Sequence, residues 1–311
     1  MSEPAVLLMG FRRAATTARV LESIRSAGTG RLYVALDGPR EDVAGETEKV
    51  NEVRRLVERE NWAEETKLLY REENLGGPRA CSSAISWFFE HEEQGIILED
   101  DTLPNPDFFR FCSSLLDRYV DDQRVWAITG DNFQGGRRRG AGSYYFSKYF
   151  HTWGWATWRR AWENFDLVLQ GWPHFYRSST WTDVHPDRVE RNYWAGILDG
   201  IHSGTKVHWD YAWMGKIWMN GGLTATPNAN LVTNIGFGED ASNCMTSDHL
   251  HANLPTARLG EITHPEEVEV DRAADTYTFN HHFNGRHMRF PRRWVNRLAA
   301  GVRKLQSESA G

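Results

Sequence analysis

The chain has 311 residues, with 36 Lys and Arg against 42 Asp and Glu and a formal net charge of −6. That length suits one large or two modest domains with a substantial core, and the acidic balance removes any global electrostatic case for nucleic-acid binding. No stretch reaches a transmembrane length, the start lacks a signal peptide's basic region, and Cys81, Cys112 and Cys244 follow no disulfide or metal spacing, so a cytoplasmic protein is expected.

Ala5 to Met9 reads as a buried strand closed by Gly10-Phe11-Arg12-Arg13. Ala14, Ala18, Leu21 and Ile24 then recur at helical spacing, and Gly28 and Gly30 stop that helix. A second strand, Arg31 to Leu36, ends in the turn signature Asp37-Gly38-Pro39. Thr47 to Glu60 is a charged helix with Val50, Val53, Leu56 and Val57 on one face, and Thr66 to Tyr70 is a third strand. Leu75-Gly76-Gly77-Pro78 opens a helix to about His91.

Ile96 to Leu98 is a further buried strand that runs into Glu99-Asp100-Asp101 and a Pro-bounded turn. Burying carboxylates is costly, so these charges should emerge at the strand's C-terminal edge, where α/β sheets place their ligands. Three adjacent acids repel one another unless a cation offsets them, and their hard oxygens suit Mg2+, Mn2+ or Ca2+; the alternative is a solvated acidic turn. Asn105 to Tyr119 follows as a helix and Arg124 to Thr129 as a fifth strand. Strands alternating with helices imply a largely parallel sheet covered on both faces. Arg13, Asp37 and the acidic triplet would then converge on one crevice, although Asp37 also suits a plain turn and Arg13 a solvated helix start. No Gly-x-Gly-x-x-Gly follows the first strand and no phosphate loop is present, which argues against a dinucleotide dehydrogenase or P-loop NTPase.

Beyond Gly130 the texture changes. Gly135 to Gly142, with Arg137, Arg138 and Arg139, reads as a loop, and Ser143 to Ser147 as a strand. Ten of the 14 Trp fall between Trp153 and Trp218. In Trp153-Gly154-Trp155 the glycine would let backbone approach a ligand flanked by flat rings, a surface that suits sugars; aromatic core is the reading for most of the other Trp. Val184 to Ile201 is helical, and a second helix starts near Trp209-Asp210 and runs to about Asn220. Asp210 either caps that helix or, amid aromatics, serves as a general base with a raised pKa. Short strands at Leu223 to Thr226 and Asn230 to Val232 precede a Gly-spaced acidic loop, Asn234 to Asp240. The tail histidines His249, His251, His264, His281 and His282 form no His-Glu-x-x-His pattern and read as ordinary surface residues. Residues 286–304 interleave Arg with apolar residues and suit either an anionic membrane surface or packing onto the domain.

A strand ending in Glu99-Asp100-Asp101, followed by Pro106-Asp107-Phe108-Phe109, resembles the metal motif of glycosyltransferases with the GT-A fold, especially the N-acetylglucosaminyltransferase I family. Trp209-Asp210-Tyr211-x-Trp213 and Asn234-Ile235-Gly236-Phe237-Gly238-Glu239-Asp240 are similar to motifs of a bacterial haemolysin-like group of nucleotide-diphospho-sugar transferases. One departure is that Ala241-Ser242-Asn243-Cys244 stands where that pattern has a His.

The resemblance implies a Rossmann-like GT-A domain, a mixed and mostly parallel central sheet with helices on both faces. Residues 1–130 would bind the nucleotide sugar, 131–285 would form a Trp-rich acceptor half of the same domain, and 286–311 a basic tail. The implied activity is metal-dependent inverting transfer from a nucleotide-diphosphate sugar, UDP-linked, to a glycan or lipid-linked saccharide acceptor. Mn2+ or Mg2+ would sit on Asp101, with Glu99 and Asp100 near ribose and sugar and with Arg13 and Asp37 on the uridine. Trp153, Gly154 and Trp155 would orient sugar. Asp210 would be the base, with Glu239 and Asp240 competing for that role. From the residues alone, a sugar nucleotidyltransferase and a Trp-rich carbohydrate-binding module stay open as rivals.

Overall fold

Side-chain alternation along the first strand decides how the chain layers. Ala5, Leu7 and Met9 face one hydrophobic core, while Val6 and Leu8 face the other. A strand buried on both sides belongs in the middle of a parallel sheet, with helices covering each face. The computed structural model describes residues 3–237 and 253–289.

In chain order the first half contains β1 (Ala5–Gly10), α1 (Ala14–Ser26), β2 (Arg31–Leu36), α2 (Glu46–Arg59), β3 (Glu65–Tyr70), α3 (Gly77–His91), β4 (Gln94–Glu99), β5 (Thr102–Pro104), α4 (Pro106–Arg118) and β6 (Val125–Thr129). The second half adds β7 (Tyr144–Ser147), β8 (Trp155–Trp158), α5 (Arg159–Trp162), α6 (Trp172–Tyr176), α7 (Ser179–Val184), α8 (Arg188–His202), α9 (Trp209–Met219), β9 (Leu223–Pro227), β10 (Val232–Asn234), α10 (Arg272–His281) and α11 (Gly285–Met288). Local chemistry sets several of these boundaries. The Asn105 side chain accepts from the Phe108 N–H at 3.1 Å and Pro106 follows it at the first helical position, so α4 begins there.

Eight strands form one sheet in the order β3-β2-β1-β4-β8-β6-β9-β7. The β3-β2-β1-β4 run is parallel, and only β8 and β7 point the other way. This is the mixed, mostly parallel central sheet expected from the sequence. The two halves share the sheet, because β8 from the second half pairs with both β4 and β6. Strand order reverses at β1, which pairs with β2 on one side and β4 on the other. The register Met9↔Glu99 therefore brings the turn after β1 beside the acidic turn after β4. That reversal point is where open α/β sheets bind ligands.

The turn after the triplet is more ordered than expected. Residues Thr102–Pro104 are a strand, β5, paired antiparallel with β10 in a second, two-stranded sheet. Nine of the ten clustered Trp are buried, the exception being Trp153. Most of them form one continuous aromatic layer against β1, β4 and α3. Among the described residues no helix is long and apolar enough to cross a membrane.

Candidate active site

The acidic turn is built from its backbone outward. Thr102 Oγ1 accepts the Glu99 N–H at 2.9 Å and donates to the Glu99 carbonyl at 3.0 Å, which closes a tight loop around Asp100 and Asp101. Asp100 Oδ2 accepts the Phe11 N–H at 3.3 Å. Arg13 forks between the two aspartates, pairing with Asp100 Oδ1 and lying 2.8 Å from Asp101 Oδ2. The Arg13 guanidinium is thus engaged with carboxylates. The Ile235 N–H donates to the Asp101 carbonyl at 2.8 Å, and Gly236 packs so closely that a side chain there would overlap Asp101 and Arg13.

One guanidinium does not balance three acids. Burial, then the charges of Asp101 and Asp100, push Glu99 up to about 8. Burial also lifts Asp100 to about 6, with Arg13 opposing it. Asp101 Oδ1 is buried and has no hydrogen-bond partner. Among the described residues no three His, Cys, Asp or Glu are grouped as a metal cage. A Mg2+-type ion does not need one, since it usually takes one or two carboxylates and completes its shell with water and phosphate oxygens. An orphaned hard oxygen amid excess negative charge fits that chemistry.

Asp37 carries a structural load. Its Oδ1 accepts from the N–H groups of Gly38 at 3.0 Å and Leu75 at 2.9 Å, and its Oδ2 from Asn74 Nδ2 at 3.0 Å and the Gly76 N–H at 3.2 Å. Those four donors fill the acceptor positions of a carboxylate. Asp37 thus clamps the loop leading into α3, the turn-forming role that the sequence also allowed.

Beside the triplet lies a cleft of about 140 Å³. Asp210 and Trp153 line it together with Asp131, Phe133, His151 and His282. Asp210 stands within the first turn of α9, while His208 holds the N-cap position, so Asp210 is not the cap. Its pKa is raised by burial, against the N–H of Tyr211 and its own. The Asp210 charge contributes to the rise at Glu99, which ties the cleft electrostatically to the acidic turn.

Two other expectations are corrected. Trp155 is 1% exposed, stacked over Trp209 at 6.0 Å and edge-on to Phe150 at 4.8 Å, so its ring serves the core and presents no face to a sugar. Gly154 has φ +68, and a Cβ there would lie 2.8 Å from Val232 Cγ2, so its missing side chain serves a turn packed on core residues. Trp153 alone of the three faces the cleft, edge-on to Phe133 at 5.4 Å and Phe237 at 6.0 Å.

Sequence reasoning passed over Asp131 and His151 and placed His282 on the surface. His282 follows α10 and stacks on Phe133 at 4.1 Å inside the cleft. Asp131 had a usable signal, since it stands just after β6 as the triplet stands after β4. Glu239 and Asp240, the rival base pair, lie outside the described residues, as do Cys244, His249, His251 and the basic tail from residue 290.

No protein-family model and no curated protein matches the chain. Solved structures give loose likenesses. One is CMP:2-keto-3-deoxy-manno-octonic acid synthetase complexed with CTP, at 14% identity and TM-score 0.40, covering 76% of this chain and 93% of that one. Another is UDP-glucose pyrophosphorylase complexed with UDP-glucose, at 8% identity and TM-score 0.35, covering 72% and 90%. A third is apo mouse xyloside xylosyltransferase 1, at 14% identity and TM-score 0.35, covering 70% and 81%. At this level of similarity they carry no weight for the chemistry, which rests on the site itself.

Proposed function

We propose that the chain is an inverting glycosyltransferase that moves a sugar from a nucleotide-diphosphate donor, UDP-linked, to a hydroxyl of a glycan or lipid-linked acceptor. The observation that carries this reading is the juxtaposition at one sheet edge of Arg13, Asp100 and Asp101 with an aromatic cleft holding Asp210. The first group suits a diphosphate and its counter-ion; the second suits a sugar ring and a proton acceptor.

Asp101, through its unpartnered Oδ1, would hold Mn2+ or Mg2+, with Asp100 beside it. When bound, such an ion offsets the charge that develops on a departing diphosphate. Arg13 can reach the same phosphate oxygens from its present position between the aspartates. Trp153 offers a ring face along the cleft. Asp210 takes the proton of the acceptor hydroxyl as its oxygen bonds to the anomeric carbon. The carbon–oxygen bond to the diphosphate breaks on the opposite face, the electron pair leaves with the nucleotide, and configuration inverts.

Asp210→Asn should lower transfer by on the order of 10²–10⁴ while leaving UDP binding intact. Wild-type transfer in Asp210→Asn, with loss in Asp240→Asn, would move the base role to Asp240. Release of pyrophosphate from a nucleoside triphosphate would replace the reading with a nucleotidyltransferase. Glycan affinity indifferent to chelator and to Asp101→Ala would replace it with a binding module.

A further inference from the structure

Asp131 stands apart from the machinery described so far. It follows β6, lines the same cleft as Asp210, and is 1% exposed. Among the described residues no Lys or Arg forms an ion pair with it. Its Oδ2 is buried without a hydrogen-bond partner. Leaving a buried polar oxygen without a donor is unfavourable, so such an atom in a cleft wall points to a ligand that supplies one.

The other oxygen identifies the kind of donor. Thr129 Oγ1 lies 2.6 Å from Asp131 Oδ1 and 3.0 Å from the His151 carbonyl. A hydroxyl has a single proton, so it can donate to only one of these acceptors. A proton on Asp131 satisfies both contacts, with Thr129 turned toward His151. Burial acts in the same direction and lifts Asp131 to about 7, opposed by the Thr129 hydroxyl and by the backbone N–H groups of Trp153 and of Asp131 itself. The neutral acid then leaves Oδ2 as a carbonyl-like acceptor, which suits a sugar hydroxyl; an ammonium would call for the ionised form.

We propose that Asp131 is an acceptor-binding residue that receives, at Oδ2, a hydroxyl of the acceptor sugar other than the one Asp210 deprotonates. The acceptor is therefore a polyhydroxylated ring, and Asp131 selects it over simple alcohols and amines. A cleft of about 140 Å³ falls below the roughly 300–1,000 Å³ typical of drug-sized ligands, so it holds one ring. The inference rests on the glycosyltransferase reading and adds the acceptor's hydroxyl pattern to it.

The test is a cycle between protein and ligand, using octyl hexopyranosides and their monodeoxy analogues with full-length protein, UDP and Mn2+ present. In the wild-type protein, deleting one non-reacting hydroxyl from the best-binding hexoside should weaken binding about 10- to 100-fold. Asp131→Leu should weaken the parent hexoside by the same factor and leave the matching deoxy analogue nearly unchanged. Asp131→Asn, which keeps an acceptor oxygen, should fall between.

The deoxy series on unmodified protein decides the matter even if Asp131→Leu fails to fold. Binding indifferent to every single deletion, equal losses for parent and deoxy ligands in the variants, or no hexoside binding at all would each overturn the assignment. Mn2+-dependent UDP binding is read on the same samples. Its absence would bring down the glycosyltransferase reading itself, whereas its presence beside any of those three results removes only Asp131.

Discussion

Gly236→Ala tests how the loop after β10 is coupled to the acidic turn, and it changes no charge. A Cβ on Gly236 would lie 2.6 Å from Arg13 Nη1 and overlap Asp101 Oδ2. Both are ends of the same ion pair, 2.8 Å long. The backbone at 236 is outside the left-handed region, so alanine adds no conformational strain and the steric effect stands alone. The loop cannot simply retreat, because the Ile235 N–H is bonded to the Asp101 carbonyl and the Gly236 N–H to Asn234 Oδ1, each at 2.8 Å. The new methyl should therefore displace Arg13 from Asp101. Losing one charge-assisted hydrogen bond in a recessed site costs about 1.5–3 kcal/mol. Urea unfolding should show that loss in wild-type background, and Asp101→Asn should absorb at least about 1 kcal/mol of it in a double-mutant cycle. Additive effects of the two substitutions, or an unchanged unfolding midpoint in Gly236→Ala, would refute the packing argument.

Two further predictions concern the neighbouring layers. Trp155→Ala should cost about 3–5 kcal/mol in urea unfolding as a buried ring is lost, whereas Trp153→Ala should cost far less stability and should instead weaken hexoside binding; the reverse pattern would restore Trp155 as the sugar platform. Asp275, lifted to about 7 by burial against the Lys148 charge, binds more protons in the folded than in the unfolded chain between about pH 4 and 7, so its contribution to stability falls as pH rises through that window. Asp275→Asn should reduce the drop in unfolding free energy between about pH 5 and pH 7.5 by about 2 kcal/mol, and an unchanged drop would contradict the burial argument.

How much of this was legible follows from what each residue's position depends on. The strands β1, β2 and β4 are apolar runs buried on both faces, and their composition alone betrays them. β5 is three residues long and exists through pairing with β10 across a long stretch of chain, so no local period marks it, while β10 lies two residues beyond the short strand expected at Asn230 to Val232. Trp155 misleads because β8 is an inner strand that sends alternate rings to opposite cores, Trp155 to one and Trp158 to the other. In sequence that alternation looks like an exposed aromatic platform. The acidic triplet stands out because charges at a strand end need a reason locally. His282 does not, since only the fold carries the end of α10 onto Phe133. Asp37 is legible as a turn former from Asp-Gly-Pro, and four hydrogen bonds tie it to its own loop and the one before α3.

The two sides of the site manage buried acids differently, and the difference follows from what each has for a neighbour. At the acidic turn Arg13 is inside hydrogen-bond reach of both aspartates and opposes the rise that burial imposes on Asp100. In the cleft the walls are aromatic, and burial is the first cause of the upward shifts at Asp131 and Asp210. Aromatic walls offer an acid no compensating charge, so the proton becomes the cheapest counter-ion available. A carboxyl with a raised pKa is a stronger proton acceptor toward a hydroxyl, whereas the ion-paired turn favours ligands that bring charge of their own. Glu99, at the end of β4 and lifted by burial and then by Asp101, Asp100 and, least, Asp210, lies between the two. The division suits two kinds of ligand group, a charged one at the turn and a neutral polar one in the cleft.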